Sequence, residues 1–121
     1  MPEPACLDYR TLPSDPSFDH GTKRSVSDAV GATNQSVSVI RFEPGEAGPR
    51  SYHDAPVEEL YFVVEGRFEI DLDDETFDAP PGTAAFITPG TVHRPRNVSD
   101  GDSVLLVVQS PPASNTTYLE G

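Results

Sequence analysis

The sequence contains a single cysteine, no tryptophan and no run of apolar residues long enough to cross a membrane. Because Cys6 has no second cysteine to pair with, an internal disulfide is excluded. The first residues lack the basic and apolar regions of a signal peptide, so we expect a cytoplasmic protein. At 121 residues, the chain is long enough to bury the core of one domain.

Positive charge is also scarce, since eight basic residues oppose twenty acidic ones and give a formal net charge of −12. Lys23 is the one lysine, and the other basic residues are arginines. Such a surface repels phosphate groups, so we expect no binding to nucleic acid or to anionic membranes. Two interpretations of the acidic surface fit the composition: general solubility, or halophilic adaptation to a salty cytoplasm.

The sequence does contain a series of short β-type runs separated by turn residues, beginning at residue 36. Gly66 separates two of the runs and predicts a hairpin there, since glycine adopts positive φ. Upstream, a single helical turn is predicted at 25–30, with Ser25 or Ser27 as its cap. Short strands without a long helical period indicate an all-β sandwich or barrel. The predicted strands cover residues 36–42, 59–64, 67–72, 76–78, 84–88, 93–97 and 103–109.

The same patterns divide the chain into three segments. Residues 1–34 carry proline, serine, aspartate and glycine with little periodicity, and are predicted to form a loop-rich lead-in that packs on the barrel. Residues 35–110 form the predicted β-barrel domain. Residues 111–121, which begin with two prolines, form a C-terminal tail.

The strand that begins at Glu58 has a second apolar side. Alternate side chains of a strand face opposite ways, so Glu59, Tyr61 and Val63 share one side. The other set is the more apolar, so this strand needs cover beyond a single barrel core. The lead-in, the tail or a second subunit would provide that cover, and the last option predicts a homodimer.

Three histidines are the first candidates for chemistry. His20 lies in the lead-in and is interpreted as solvated, whereas His53 and His93 each precede or begin a predicted strand. Two imidazoles and one carboxylate suit a first-row divalent metal and leave coordination positions open. Their spacing alone favours two ordinary surface histidines.

The segment around His93 resembles the second signature motif of the cupin superfamily, a group of small β-jelly-roll proteins. That motif reads Gly-X5-Pro-X-Gly-X2-His-X3-Asn. Here Gly82, Gly90, His93 and Asn97 stand at the required spacing, and Thr88 replaces the expected proline. The glycines would form tight turns, and His93 and Asn97 would share one face of a strand.

The segment around His53 is similar to the first cupin motif, Gly-X5-His-X-His-X3–4-Glu-X6-Gly, in a degraded form. Counting back from Gly66 selects Glu59 as the inward carboxylate. With one residue inserted in the following loop, His53 takes the second-histidine position and Ser51 the first, and Gly45 supports this register.

A rival register of the first motif has no insertion. It places Tyr52 and Asp54 at the two histidine positions and turns His53 away. We prefer the register with the insertion.

The resemblance implies a double-stranded β-helix, the jelly-roll barrel of cupins, with a divalent metal inside. The cation, Fe, Mn, Ni or Zn, would be held by His53, Glu59 and His93. Ser51 stands where a histidine is expected, so either water completes the coordination shell or affinity is reduced. Tyr61 shares a face with Glu59, so Tyr61 and Ser51 are predicted to contact a ligand.

The expected function is therefore binding of a divalent metal and a small organic ligand inside the barrel. Two alternatives remain open: a metal-dependent dioxygenase or isomerase acting on a small molecule, and a metal-free binding or sensing module. The intact Glu59 and His93 favour an enzyme, whereas Ser51 favours a binding module. The fold cannot choose between them, because one fold hosts many functions.

Overall fold

Ten strands form two five-stranded antiparallel sheets in the computed structural model, which describes residues 3–112 and 115–120. The strands are β1 (Thr22–Ser25), β2 (Ser36–Phe42), β3 (Arg50–His53), β4 (Glu58–Glu65), β5 (Phe68–Leu72), β6 (Thr76–Ala79), β7 (Ala84–Ile87), β8 (His93–Asn97), β9 (Ser103–Ser110) and β10 (Thr116–Leu119). One sheet has the order β1-β2-β9-β4-β7, and the other has the order β10-β3-β8-β5-β6. The predicted jelly-roll barrel is confirmed.

Each of the seven predicted strands is present, and the bounds of β2 and β8 match the predicted ones. Three strands were not predicted: β1, β3 and β10. Their sequences are short and mostly polar, and they are held by pairing with neighbours, β1 with β2 and β10 with β3. The lead-in and the tail therefore each extend a sheet at its edge.

The predicted hairpin at Gly66 is wrong, although the strands on either side of it are correct. β4 and β5 lie in different sheets, so Gly66 carries the chain from one sheet to the other. Its φ is 82°, and a Cβ at this position would lie 1.9 Å from Ser103 Oγ. Positive φ therefore marks a turn between sheets here, and the close approach of Ser103 requires glycine.

The predicted helical turn is confirmed as α1 (Val26–Val30), with Ser25 as its N-cap. Ser25 Oγ accepts a hydrogen bond of 3.1 Å from the backbone N–H of Asp28, which satisfies one of the free donors at a helix start. A 3-10 helix lies at Tyr9–Thr11. No helix within residues 3–112 and 115–120 is long and apolar enough to span a membrane.

The apolar core lies between the two sheets. Phe42 on β2 and Phe68 on β5 are fully buried, and their rings meet edge to face with centroids 5.5 Å apart. Each buried aromatic ring stabilises the fold by about 2 to 3 kcal/mol through removal of apolar surface from water. Ile70 and Leu105 complete the contact between the sheets.

Asn97 connects the end of β8 to the other sheet. Its side-chain amide donates hydrogen bonds of 3.0 Å to the carbonyls of Phe42 and Gly101. Its side-chain oxygen accepts hydrogen bonds from Ser99 and, at 2.8 Å, from Ser103 Oγ. As the sequence predicts, Asn97 and His93 lie on the same buried face of β8.

Burial of the two sides of β4 does not follow their hydrophobicity, because the less apolar side is the buried one. Glu59, Tyr61 and Val63 face the interior, whereas the more apolar set faces outward. On the neighbouring strand β7, Phe86 is 55% exposed and lies opposite Leu60. We call this exposed apolar face the outer patch; it consists of Leu60, Phe62, Val64 and Phe86. The lead-in and the tail lie at sheet edges, so a second subunit stays the predicted cover.

Replacing Asn97 with alanine should lower the free energy of unfolding by about 3 kcal/mol, because buried hydrogen-bonding groups lose their partner. Asn34 is exposed, so Asn34→Ala should change the free energy of unfolding by less than about 0.5 kcal/mol. Urea denaturation of both variants tests this. Equal losses in the two variants would show that Asn97 does not connect the sheets.

The outer patch predicts a homodimer, since a second copy offers an identical apolar face. Light scattering during gel filtration should give twice the chain mass of 13.1 kDa. Phe86→Glu should give a monomer, and Val98→Glu, at an exposed valine outside the patch, should stay dimeric. A monomeric wild-type protein would contradict the prediction.

Candidate metal centre

Three strands from both sheets bring His53, Glu59 and His93 together. His53 ends β3 and His93 begins β8 in one sheet, and Glu59 lies near the start of β4 in the other. All three side chains are buried, with exposures of 5%, 4% and 2% respectively. Residues 53 and 93, which are forty positions apart in sequence, become neighbours because β3 pairs with β8.

The ligand-type atoms of the three side chains lie within 4.8 Å of one another. The closest pair is His93 Nε2 and Glu59 Oε1, at 2.5 Å. His53 Nε2 lies 3.5 Å from the other carboxylate oxygen, Glu59 Oε2. We call these three residues the His-Glu-His cluster.

Hydrogen bonds on the far side of each ring orient the two imidazoles. His93 Nδ1 lies 2.8 Å from the carbonyl oxygen of Thr91. A carbonyl oxygen only accepts, so His93 Nδ1 carries a proton. His93 Nε2 faces the Glu59 carboxylate, to which it donates when protonated, and it would offer a lone pair to a metal when neutral. His53 Nδ1 lies 2.8 Å from the hydroxyl of Thr116, which is on the unpredicted strand β10.

Gln109 on β9 is a member of the site that the sequence did not reveal. Its amide nitrogen donates to Glu59 Oε2 at 2.7 Å and lies 3.2 Å from His53 Nε2. Gln109 and Glu59 are direct partners in the ladder between β9 and β4. Neither cupin motif extends to this strand. Gln109 could therefore be found only from the pairing register between β4 and β9.

Burial and hydrogen bonding act against each other in the cluster. Burial by itself raises the pKa of Glu59, but hydrogen bonds from His53, His93 and Gln109 outweigh it and lower the pKa to about 2. Burial likewise disfavours charged His93, yet the bond and charge of Glu59 outweigh it and raise the pKa of His93 above its ordinary value. The cluster is thus stable with a charged carboxylate.

Tyr61 lies beside the cluster on the same face of β4 as Glu59. Its ring meets the His93 ring edge to face, with centroids 5.7 Å apart. Burial and the negative charge of Glu59 raise the pKa of Tyr61 well above its ordinary value. The hydroxyl of Tyr61 is therefore protonated at neutral pH and is a hydrogen-bond donor beside Glu59.

The orientation of His53 decides between the two registers of the first motif. His53 and Ser51 are buried, whereas Tyr52 is half-buried and Asp54 is exposed. The rival register, with Tyr52 and Asp54 directed inward, is wrong. Ser51 lies directly opposite His93 in the ladder between β3 and β8.

Two members of the cluster, His53 and Glu59, line a cavity of about 230 Å³ between the sheets. Ser51 and Tyr61, the two predicted ligand contacts, both line this cavity. His20 lies elsewhere, with its Nε2 3.2 Å from Asp19, and does not line the cavity. The wall of the cavity consists of Phe18, Lys23, Ser36, Ser38, Ile40, Phe42, Gly48, Pro49, Ser51, His53, Glu59, Tyr61, Pro95, Leu105, Val107, Gln109, Thr116 and Tyr118.

The side chains of the cluster fit a divalent metal. Imidazole nitrogen and carboxylate oxygen are ligands of Fe, Mn, Ni and Zn, and a two-His, one-carboxylate set leaves positions open. The outer ring nitrogen of His93 is held by a carbonyl and that of His53 by a hydroxyl, the kind of support that metal-ligating histidines receive. Two ring nitrogens and a carboxylate thus converge where a cation would bind.

Curated relatives match about two thirds of the chain. Polyketide synthase CurC of Streptomyces cyaneus is 39% identical over 84 residues, which cover 69% of this chain and 54% of CurC. Protein SchB of Streptomyces halstedii is 35% identical over 84 residues, which cover 69% of this chain and 60% of SchB. The match therefore spans little more than half of either relative.

Solved structures share the fold over almost the whole chain. The polyketide cyclase RemF from Streptomyces resistomycificus superposes with a TM-score of 0.81 at 20% identity, covering 98% of this chain and 87% of RemF. The sugar phosphate isomerase SPO2919 from Silicibacter pomeroyi superposes with a TM-score of 0.79 at 21% identity, covering 96% and 92%. These two likenesses show the fold.

The family model for the cupin domain matches residues 38–109. This segment runs from β2 to β9 and contains the whole His-Glu-His cluster together with Gln109. Sequence, strand order and superposition therefore agree, and the chain belongs to the cupin family.

Proposed function

We propose that the protein binds a divalent metal on the His-Glu-His cluster and a small organic ligand in the adjoining cavity. The observation that carries the proposal is the convergence of two imidazole nitrogens and a carboxylate, all buried, with His53 and Glu59 at the wall of a cavity. A buried cluster that is mainly structural would not need to adjoin such a space. The coordination positions of the metal that the protein leaves open would face the organic ligand.

His53, Glu59 and His93 are the proposed ligands of the metal. Ser51 lies where cupins carry a fourth ligand, and its hydroxyl is a poor ligand for such ions. Gln109 contacts both His53 and Glu59 and orients them. The cation is Fe, Mn, Ni or Zn, since this donor set suits each of them.

Ser51 and Tyr61 are proposed to bind the organic ligand. Tyr61 would donate a hydrogen bond from its protonated hydroxyl, and Ser51 would donate or accept one. Both line the cavity and are buried, so a hydrogen bond made there is shielded from water.

Metal content should depend on the residues of the His-Glu-His cluster and not on a histidine elsewhere in the chain. Protein purified without added ions should contain close to one equivalent of divalent metal per chain by elemental analysis. Glu59→Ala and His93→Ala should each lose at least about tenfold in metal affinity, because each removes a direct ligand. His20→Ala removes a histidine outside the cavity and should keep the wild-type metal content.

Equal metal content in all four proteins would refute the site. Wild-type protein that takes up no metal, even after incubation with Fe, Mn, Ni and Zn salts, would favour the alternative of a metal-free binding or sensing module. Circular dichroism of each variant confirms that the loss of metal does not reflect unfolding.

An enzymatic function is the second candidate, favoured by the polyketide chemistry named for CurC and RemF and the isomerase named for SPO2919. Cyclisation of a polyketide and isomerisation of a sugar phosphate both pass through an enol or enolate. When bound, the metal would act as a Lewis acid toward carbonyl oxygen. Tyr61 would donate a hydrogen bond to the same developing charge. The dioxygenase alternative has no such support.

Exchange of a carbon-bound proton tests the enzymatic candidate. Ethyl acetoacetate in D2O loses a methylene proton to solvent and regains a deuteron, so no oxidant or co-reactant is needed. Metal-loaded protein should accelerate the loss of the methylene signal in proton NMR, and Glu59→Ala should not. Tyr61→Phe should slow the exchange by about tenfold to a hundredfold while keeping the metal. A wild-type rate equal to that of buffer would contradict an enolising activity.

A further inference from the structure

Lys23, the one lysine of the chain, lines the same cavity as His53 and Glu59 of the His-Glu-His cluster. On the edge strand β1 it stands opposite Ile40 of β2. Directly opposite residues of an antiparallel pair lie on the same face of the sheet. Ile40 is buried and lines the cavity, so the half-buried Lys23 is directed toward the interior.

The ammonium group of Lys23 is held by an aromatic ring and not by an acid. Its Nζ lies 5.3 Å from the centroid of the Phe18 ring, within the range of a cation–π contact. In residues 3–112 and 115–120, no carboxylate oxygen lies within 4.0 Å of Lys23 Nζ, although acidic residues number twenty in the sequence. Hydrogen bonds from Ser17 lower the pKa of Asp15, and the charge of Lys23 makes a smaller contribution in the same direction.

We propose that Lys23 binds an anionic group, such as a carboxylate, of the small organic ligand that enters the cavity. This inference names the class of ligand and rests on the proposed function, since both place the ligand in one cavity. The net charge of −12 repels anions from the surface in general. A cation without a carboxylate partner at the cavity wall therefore selects for negative charge at that place.

The strand register indicates an elongated ligand. On β2, Ile40, which is opposite Lys23, is four positions away from Ser36, which is opposite Gln109. At a rise of roughly 3.3 Å per residue, the two positions are about 13 Å apart along the strand. The lysine side chain covers part of that distance. A ligand with an anionic group at one end thus reaches from Lys23 toward the cluster.

Protection of a sheet edge is the competing role for Lys23. Charged residues that point inward on an edge strand prevent pairing with another chain. That role predicts self-association of a variant without the charge, and it predicts no preference among ligands. The two roles therefore differ in what is measured.

Binding of trans-cinnamate and of trans-cinnamamide tests the proposal, because the two probes have the same shape and differ in charge. Isothermal titration calorimetry is performed on metal-loaded and on EDTA-stripped protein. Wild-type protein should bind cinnamate about tenfold more tightly than the amide, through a charge-assisted contact. Lys23→Met should lose this preference, and Lys23→Arg should keep most of it. Arg24→Met removes the same charge from the neighbouring residue and should keep the preference.

Lys23→Met with an unchanged preference for cinnamate would overturn the proposal, as would a wild-type protein without a preference. If Lys23→Met is unfolded by circular dichroism, loss of the preference in folded Lys23→Arg overturns the proposal and its retention supports it. Metal content separates this inference from the proposed function. A preference for cinnamate in stripped protein that never binds metal would support Lys23 and refute the metal site.

Discussion

The buried carboxylate of Glu59 is the group on which the rest of the site depends. A carboxylate without partners inside a protein costs several kcal/mol, so Glu59 requires the donors around it. His93 and His53 approach it from the opposite sheet, and Gln109 approaches from the adjacent strand. One side chain thereby joins the two sheets through polar contacts and fixes the direction of two imidazoles.

The strands at the sheet edges complete this arrangement. β10 supplies Thr116 to the outer nitrogen of His53, and β1 supplies Lys23 to the cavity wall. Neither strand belongs to the segment matched by the cupin family model, which covers residues 38–109. The family segment therefore holds the cluster, and the segments outside it supply the partner of His53 and a cationic residue of the cavity wall.

The sequence predicts the residues of the two cupin motifs better than the residues that surround them in the folded protein. His93 and Asn97 were predicted to share a face because two glycines and the spacing fix β8, and Glu59 was selected by its distance from Gly66. Gln109 could not be predicted, since its place depends on the register between β4 and β9. The sequence predicts a hairpin at Gly66 because glycine with positive φ occurs both in hairpin turns and in turns that connect two sheets. β1, β3 and β10 have too little hydrophobic alternation to be found.

Anomalous diffraction from a crystal of the protein grown with Mn or Zn tests the central claim most directly. The account predicts a peak inside the barrel, within about 2.0 to 2.2 Å of His53 Nε2, His93 Nε2 and a Glu59 oxygen. A peak confined to acidic side chains on the surface, with Glu59 still bonded to His93, would contradict it.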